Sequence, residues 1–419
     1  MSFLNVVGLN HVSAPVEIRE KLSLAGAKHL PALKAMHETC QTEEFVLLST
    51  CNRTEFYFSS EHTDSLDALY KYVSELSGFS AEECRKFFYE YEDAEAIQHL
   101  FRVASGLNSL VVGEAQILGQ LKEAFEVSIS ENLVQSNFFN IYQNTLQCAK
   151  AVRRETEISK GSMSVSFIAV QLAKNIFETL HDKTVLLVGA GEMCELAGVH
   201  FRDAGVHCIN VANRTIERAE TLAAKFGGKS YALTQLDAAM EEADIILSCT
   251  GSDDYVIRYD AVSKAMDQRN LRSLFLIDIA VPRDIEERIA KISEVYLYNI
   301  DDLNKIIEKN RSAKDEHISA AEKIVETQIK AFEDQQFTSD LGPIITSLKK
   351  RMGSIKDQEL EKLFKKTGHL TPDDCQKINR TVDLIINKIV HDPIISLRRN
   401  VEESRDNKIT KIFKDFFNL

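Results

Sequence analysis

The stretch that decides the fold is Lys183-Thr-Val-Leu-Leu-Val-Gly-Ala-Gly-Glu-Met-Cys194. Its apolar run has the length of a buried strand and leads directly into two glycines. A strand, a G-x-G turn and the start of a helix form the context in which such a turn binds a dinucleotide. Gly189 permits the tight turn, Gly191 lets the backbone approach a pyrophosphate, and Cys194 replaces a third, packing glycine. We therefore predict a cofactor loop of Gly189, Ala190, Gly191, Glu192, Met193 and Cys194; a plain strand-to-helix turn is the alternative.

On both sides of this loop, predicted strands alternate with predicted helices. The strands cover residues 207–212, 245–249, 274–279 and 295–298, and the helices cover 164–180, 192–204 and 217–226. This alternation predicts a parallel, doubly wound sheet. Ligands bind at the carboxyl ends of such strands, so Cys249-Thr-Gly251 and Asp278-Ile-Ala280 are further, weaker candidates.

The end of the second strand of this sheet indicates which dinucleotide is bound. NAD sites place an acidic residue there, but this strand ends in Ala212-Asn213-Arg214-Thr215. Arg214 can pair with a 2′-phosphate, and Asn213 and Thr215 can add hydrogen bonds. The sequence therefore favours NADPH over NADH.

The N-terminal region has a different pattern. Strands are predicted over 3–9, 44–50, 54–59 and 87–91, with a helix after Pro15 and another over 64–76. The order β-α-β-β-α-β predicts a ferredoxin-like α+β arrangement. Helical periodicity then continues from about residue 94 to 157.

From Asp301 onward the chain has a helical pattern. Residues 302–337 contain almost no helix breaker and predict one long helix, which we expect to end at Gly342-Pro343. Three more helical segments follow, and we expect the last two to be separated near Asp392-Pro393. So long a helix has little of its own chain to pack on, which favours a homodimer over a monomeric helical cap.

The stretch Ser49-Thr-Cys-Asn-Arg53 contains the most unusual cysteine of the chain. Cys51 lies between two predicted strands, with polar residues beside it. We expect Arg53 to lower the pKa of this thiol, and a thiolate can attack a carbonyl carbon to form a thioester. A half-buried loop thiol without function is the alternative.

A second polar block interrupts the helical region between His99 and Gln120. Ser109, Glu114, Gln116 and Gln120 stand there between apolar residues and two glycines, a composition suited to binding a small polar group. His99 lies on an apolar helix face, where a hydrogen-bonded core histidine is the usual interpretation.

Composition excludes several classes of protein. The 419 residues predict two to four domains. No apolar run is long enough to span a membrane, and the N-terminus lacks a secretory pattern. The eight cysteines form no C-x-x-C pair, which predicts no metal site, no disulfide framework and a cytoplasmic location. The net charge of −13 argues against nonspecific nucleic-acid binding, although residues 301–419 carry 22 Lys+Arg against 21 Asp+Glu and leave room for specific phosphate contacts.

Taken in order, these motifs resemble the glutamyl-tRNA reductase family over essentially the whole chain. The resemblance rests on Gly8-Leu-Asn-His11, on 14–21, on 49–53, on 99–120, on the glycine loop, on 213–215 and on Asp278-Ile-Ala-Val-Pro-Arg283. One position differs, because Ala115 stands where the family usually has proline. We expect the backbone around Ala115 to be less rigid than in the family, with no catalytic group lost.

The resemblance implies a function and a role for each motif. It implies reduction of glutamyl-tRNA(Glu) by NADPH to glutamate-1-semialdehyde, the first step of the five-carbon route to 5-aminolevulinate and tetrapyrroles. Cys51 would be the nucleophile that forms the thioester, and His99 would be a second catalytic residue. The substrate pocket would consist of Thr50, Asn52, Arg53, Ser109, Glu114, Ala115, Gln116 and Gln120, with Arg53 facing the substrate carboxylate.

The resemblance also implies an organisation. Residues 1–157 would form a ferredoxin-like catalytic domain, 158–300 a Rossmann-like NADPH domain, and 301–419 an all-α dimerisation domain joined by a long helix. A homodimer and an aminomutase that takes over the unstable aldehyde are the implied partners. Because the two sites lie on separate domains, we expect the NADPH domain to close toward Cys51.

Two rival interpretations remain at the level of the sequence. A shikimate-dehydrogenase-like NADPH reductase would explain residues 183–300 but leave Cys51 structural. A noncatalytic RNA-binding or redox-sensing dimer would rest on the helical tail.

Overall fold

The structure is a computed structural model that describes residues 2–60, 62, 64–114, 116–156, 158, 165–177, 179–309, 315–367, 370–404 and 407–418. The chain divides into two compact units, residues 1–325 and 326–419. The first unit contains both sheets.

The N-terminal sheet is antiparallel and has the strand order β2-β3-β1-β4. Its strands are β1 (Ser2–Asn10), β2 (Glu44–Ser49), β3 (Arg53–Ser60) and β4 (Tyr89–Glu92). Helices α1 (Val16–Lys21), α2 (His29–Cys40), α3 (Ser65–Ser77) and α4 (Ala81–Arg85) connect them. This topology confirms the ferredoxin-like prediction. The last strand begins two residues later than predicted.

One face of this sheet packs on helices. Apolar residues of α2 and α3 join those of the strands in a single core, which includes Leu33, Phe45, Phe56 and Val73. Three helices follow in sequence, α5 (Asp93–Ala104), α6 (Gln116–Ser130) and α7 (Ser136–Glu155). They account for the helical periodicity predicted between residues 94 and 157.

The second sheet is parallel and has the strand order β10-β9-β8-β5-β6-β7. Its strands are β5 (Thr184–Val188), β6 (Cys208–Asn213), β7 (Ser230–Ala232), β8 (Ile245–Ser248), β9 (Leu274–Asp278) and β10 (Val295–Asn299), and its helices are α8 (Val165–Phe177), α9 (Glu192–Asp203), α10 (Ile216–Phe226), α11 (Leu236–Glu242) and α12 (Tyr259–Gln268). The strand order reverses between β5 and β8, as in Rossmann folds. The sequence did not predict β7, because its three residues are only half-buried and carry little pattern.

The C-terminal region consists of α13 (Ile300–Lys309), α14 (Asp315–Lys366), α15 (Pro372–Ser404) and α16 (Asn407–Phe417). Two predictions are wrong here. Helix α14 continues through Gly342-Pro343, and α15 contains Pro393 in its interior. A proline removes one helical hydrogen bond at a cost of about 3 kcal/mol, but helices of 52 and 33 residues keep their remaining bonds.

The predicted helix over 302–337 corresponds to α13 and the first part of α14. Residues 310–314, which separate the two, lie outside the described residues. Within the described part of the chain, no helix combines the length and the apolar character needed to cross a membrane.

Candidate active site

Both sheets contribute to one cavity of about 490 Å³. The N-terminal sheet supplies Thr50 and Cys51, and the loops after β8 and β9 supply Cys249, Thr250 and Ala280. The carboxyl ends of the parallel strands therefore face the cysteine that the sequence singled out. Other lining residues come from α6 and from the start of α2, namely Gln120, Glu123, Ala124, Val127 and His29.

Cys51 lies in the tight turn between β2 and β3. Thr50 N donates to Arg53 O at 2.8 Å, and the Thr50 hydroxyl accepts from the amides of Asn52 and Arg53, each at 3.2 Å. His11 N donates to Asn52 O at 2.9 Å. These bonds fix the backbone on both sides of the thiol.

The charge environment of Cys51 differs from the prediction. The pKa of the thiol is raised to about 12, chiefly by burial and also by Cys249 and Glu114, while Arg19 is the cation that opposes the rise. Arg53 does not have the predicted effect on this thiol. The reason is strand geometry, because Arg53, Glu55 and Tyr57 alternate along β3 and share one face of the sheet.

On that face, Glu55 is the centre of a buried polar network. Its carboxylate accepts from Arg53 Nη1 at 2.8 Å, from the Tyr57 hydroxyl at 2.5 Å and from the Tyr89 hydroxyl. Burial alone would raise the pKa of Glu55, but Arg53 and His99 hold it well below its usual range. Glu55 and its tyrosines were missed from the sequence, although the alternation from Arg53 to Tyr57 was a usable signal.

His99 belongs to this network. Its Nε2 lies 2.8 Å from Glu55 Oε1, Asn108 Nδ2 lies 3.4 Å from its Nδ1, and its ring packs against Tyr89 and Tyr91. His99 lines a second cavity of about 310 Å³ and does not line the cavity of Cys51. The structure thus joins His99 to Arg53 through Glu55.

The remaining predicted substrate residues lie around the same turn. Asn52 Oδ1 is buried and has no hydrogen-bond partner within the described residues. Burial raises the pKa of Glu114, and the nearby Ser109 hydroxyl and Arg53 oppose that rise. Gln116 is the first residue of α6, and Gln120, one turn later, lines the cavity. Ala115 lies outside the described residues, so the expected loss of rigidity there stays a prediction.

The glycine turn has the geometry that a dinucleotide needs. Gly189 has φ +113°, and a Cβ there would lie 2.4 Å from Cys249 O, so a side chain is excluded. Gly191 caps α9 (Glu192–Asp203), and a Cβ there would contact no protein atom. The open space lies at a helix N-terminus, where a pyrophosphate fits. Ala190, Glu192 and Met193 complete the turn, and Met193 also lines the cavity.

Cys194 packs beneath this turn. Its side chain is fully buried, and its sulfur lies 3.6 Å from Val188 O and 3.8 Å from Cys249 O. It therefore occupies the helix–strand packing position that the sequence assigned to it.

The end of β6 presents the three predicted cofactor residues. Asn213 Nδ2 donates to Thr215 O at 2.9 Å, and Thr215 precedes α10 as its N-cap. Arg214 is exposed, and no described residue forms an ion pair with it. A free guanidinium at this position fits a 2′-phosphate.

Two buried carboxyl groups shape the strand ends, and sequence analysis missed one of them. Asp284 accepts from Thr250 N and from the Ser248 hydroxyl, both at 2.7 Å. Asp278 accepts from Ala280 N at 3.0 Å, and burial, with a contribution from Asp284, raises its pKa to about 8. These bonds hold the loops that carry Thr250 and Ala280 into the cavity.

A Rossmann-type sheet whose strand ends share a cavity with a thiol defines a dinucleotide-dependent oxidoreductase able to use a cysteine.

Three family models match the chain: the N-terminal domain of glutamyl-tRNAGlu reductase at 7–156, shikimate/quinate 5-dehydrogenase at 171–306, and the dimerisation domain of glutamyl-tRNAGlu reductase at 320–419. The chain is 37% identical over 415 residues to the glutamyl-tRNA reductase of Pelotomaculum thermopropionicum, covering 99% of this chain and 94% of the relative. It is also 37% identical over 418 residues to that of Geobacter sulfurreducens, covering 99% and 96%.

Among solved structures, the glutamyl-tRNA reductase from Methanopyrus kandleri matches with a TM-score of 0.53 and 30% identity, covering 100% of this chain and 98% of that one. The chain belongs to the glutamyl-tRNA reductase family. The shikimate-dehydrogenase-like alternative describes only the middle of the chain, whereas these relatives match it from end to end.

Proposed function

We propose that this protein reduces the glutamyl group of glutamyl-tRNA(Glu) to glutamate-1-semialdehyde with NADPH, through a thioester on Cys51. The reaction is the first step of the five-carbon route to 5-aminolevulinate and tetrapyrroles. The observation that carries the proposal is the shared cavity, which places Cys51 opposite the strand ends of a dinucleotide-binding sheet.

In the first step, Cys51 Sγ attacks the carbonyl carbon of the aminoacyl ester. The bond from that carbon to the ribose oxygen breaks, and the oxygen leaves with the proton that the thiol gives up. A thioester activates the carbonyl toward reduction, so one difficult reduction becomes two easier steps. Because burial raises the pKa of the Cys51 thiol to about 12, the thiol loses its proton only as it reacts.

The cofactor site fits the NADPH assignment. The open helix N-terminus at Gly191 would bind the pyrophosphate, and Arg214, which forms no ion pair with any described residue, would bind the 2′-phosphate together with Asn213 and Thr215. When bound, NADPH supplies the hydride that reduces the thioester. Thr250 and Ala280 border the cavity on the cofactor side. Cys51 is the leaving group when the C–S bond breaks, and its sulfur takes up a proton as the aldehyde departs.

The glutamyl group is held by the polar residues around the turn. Asn52 Oδ1, which has no hydrogen-bond partner among the described residues, and the half-buried Glu114 are acceptors for its ammonium group. Arg53 is the cation that the sequence assigned to its side-chain carboxylate, but the guanidinium is buried against Glu55 and does not line the Cys51 cavity, so this contact requires a rearrangement of Arg53. Arg53 donates to Glu55 and, at 2.6 Å, to Asn108 O, which fixes its guanidinium. Thr50, Ser109, Ala115, Gln116 and Gln120 complete this proposed pocket, and His99 acts through Glu55.

The proposal also includes the organisation of the chain and its partners. Residues 1–157 bind the glutamyl group, 158–300 bind NADPH, and 301–419 form a homodimer, supported by the match of 320–419 to a dimerisation domain. A glutamate-1-semialdehyde aminomutase receives the reactive aldehyde. A cytoplasmic location is consistent with eight free cysteines. The expected closure of the NADPH domain toward Cys51 is also part of the proposal, and the cavity that both sheets line is the space it would close.

The test uses intact-mass measurement after rapid quench. The wild-type protein is mixed with glutamyl-tRNA(Glu) without NADPH, and Cys51→Ser is treated in parallel. We expect a glutamyl adduct on the wild type only, and NADPH should discharge it to the aldehyde. Cys40→Ser is the matched control, because Cys40 is buried in the same domain but lies in its apolar core. An equal adduct on Cys51→Ser, or turnover by that variant, would disprove the thioester route.

A further inference from the structure

Arg19 of α1 makes a set of buried contacts that the proposed function does not use. Only 2% of the Arg19 side chain is exposed. Its Nη1 donates to the Cys51 carbonyl oxygen at 2.6 Å, its Nε donates to Ala14 O at 3.2 Å, and its Nη2 forms an ion pair with Asp301. One planar guanidinium therefore holds the backbone of the reactive cysteine.

Asp301 connects this contact to the other sheet. It lies in the first turn of α13, directly after β10, the edge strand of the parallel sheet. Its second carboxylate oxygen accepts from Val16 N at 3.1 Å, so α1 is bound at both its start and its Arg19 side chain. The position of the Cys51 turn is thus tied to the start of α13, directly after the last strand of the parallel sheet.

Arg19 is also the cation that opposes the rise in the pKa of the Cys51 thiol. Cys249, after β8, and Glu114, before α6, both disfavour a thiolate at Cys51, whereas Arg19 favours it. His29 and Glu123 line the same cavity from α2 and α6. Arg53 is neutralised by Glu55 on the other face of β3. Arg19 therefore stabilises the negative charge that develops on the Cys51 sulfur.

We propose that Arg19 is a positioning residue for Cys51: it holds the turn through the Cys51 carbonyl, supports the developing thiolate, and is itself anchored to the start of α13 by Asp301. The inference rests on Cys51 being the nucleophile of the proposed function. It predicts that the thiol reaches full reactivity only while α1 is bound to α13.

The test is the rate at which iodoacetamide modifies Cys51, quantified on the Cys51 peptide at pH 8. In Arg19→Ala we expect this rate to fall about tenfold, as for the loss of one charge-assisted contact. Arg19→Lys retains the charge and should recover most of the alkylation rate. It should not recover kcat, because an ammonium lacks the fork that spans carbonyl and carboxylate. Half-buried Cys375 of α15 is the internal standard in every sample.

Two further variants separate positioning from folding. Asp301→Asn keeps the Cys51 contact and loses the anchor, so kcat should fall about tenfold with KM for NADPH within about twofold. Arg269→Ala is the matched control: Arg269 is also a buried arginine, but it donates to Met240 O at 3.1 Å and Glu241 O at 3.0 Å and contacts neither α1 nor the Cys51 turn among the described residues. It should leave the Cys51 alkylation rate unchanged.

Alkylation of Arg19→Ala at the wild-type rate would overturn the inference, and so would equal losses of the alkylation rate in Arg19→Ala and Arg269→Ala. Neither result depends on tRNA. An absent glutamyl adduct on the wild type would instead overturn the proposed function, so the two failures are distinguishable.

Discussion

The antiparallel and the parallel sheet meet at the Cys51 cavity and are built in opposite ways; we call the first sheet with its polar network the fixed wall and the second the open wall. On the antiparallel side, Arg53, Glu55 and His99 are at most 6% exposed and are bonded to one another. On the parallel side, the proposed cofactor elements are an open glycine turn and the exposed Arg214. Covalent chemistry needs polar groups that are fixed before the substrate arrives, whereas a cofactor that comes and goes needs space and free donors.

The largest effect is expected from breaking the fixed wall at its centre. Glu55→Gln leaves Arg53 as a buried cation without its carboxylate, which should lower the free energy of unfolding by about 3–5 kcal/mol. Urea unfolding measures this loss. Asp67→Asn is the control, because Asp67 pairs with Arg85 at 2.8 Å on the surface, and its loss should cost about 1 kcal/mol or less. If Glu55→Gln and Asp67→Asn lose the same free energy of unfolding, the buried network around Glu55 does not fix this wall.

The open wall should be sensitive to a side chain in its backbone turn. Gly189→Ala forces a Cβ to 2.4 Å from Cys249 O at φ +113°, and we expect a loss of about 2–3 kcal/mol in stability. Gly191→Ala meets no protein atom, so it should unfold at the wild-type temperature and lose only NADPH affinity. Thermal melts and NADPH titration of both variants test this. If Gly191→Ala destabilises the fold as much as Gly189→Ala, the space beside Gly191 is not open to a ligand.

The walls should also respond oppositely to pH. The pKa of Glu55 is lowered by folding, so its stabilisation is complete above its unfolded pKa of about 4.3 and is lost as the pH falls below that value. Burial raises the pKa of Asp278 to about 8, so the folded protein loses stability as the pH rises from about 4 to 8, by at most about 1.4 kcal/mol per pH unit. Asp278→Asn should flatten this slope in urea unfolding measured from pH 5 to 8. An unchanged slope would show that Asp278 is ionised in the folded protein.

The smallest effect is expected at Arg214. Arg214→Ala should raise KM for NADPH about tenfold or more, leave KM for NADH within about twofold, and leave stability unchanged, because Arg214 is exposed and forms no ion pair with any described residue. Steady-state kinetics with both cofactors measure the change in preference. Lys225→Ala is the control, since Lys225 is a cation of the following helix that pairs with Glu195 at 2.5 Å. An equal change in both KM values would argue against a 2′-phosphate contact.

The sequence determined the parts of the molecule that depend on local pattern. Strand and helix order predicted both sheets, and spacing located the glycine turn, the packing position of Cys194 and the strand end at Asn213, because these features depend on backbone shape within a few residues. The helical C-terminal region was also predicted. The two breaks predicted within it, at Gly342-Pro343 and near Asp392-Pro393, are wrong, because a long helix tolerates the loss of one hydrogen bond.

Tertiary structure alone decided the partners of the charged residues. Arg53 is two residues from Cys51, yet it pairs with Glu55 and Asn108 on another face, while Arg19, 32 residues away in sequence, contacts the Cys51 carbonyl. Burial raises the pKa of Cys51, whereas the neighbouring Arg53 had led us to predict a lower pKa. Desolvation and long-range pairing depend on which surfaces meet in space, and sequence spacing carries no information on that.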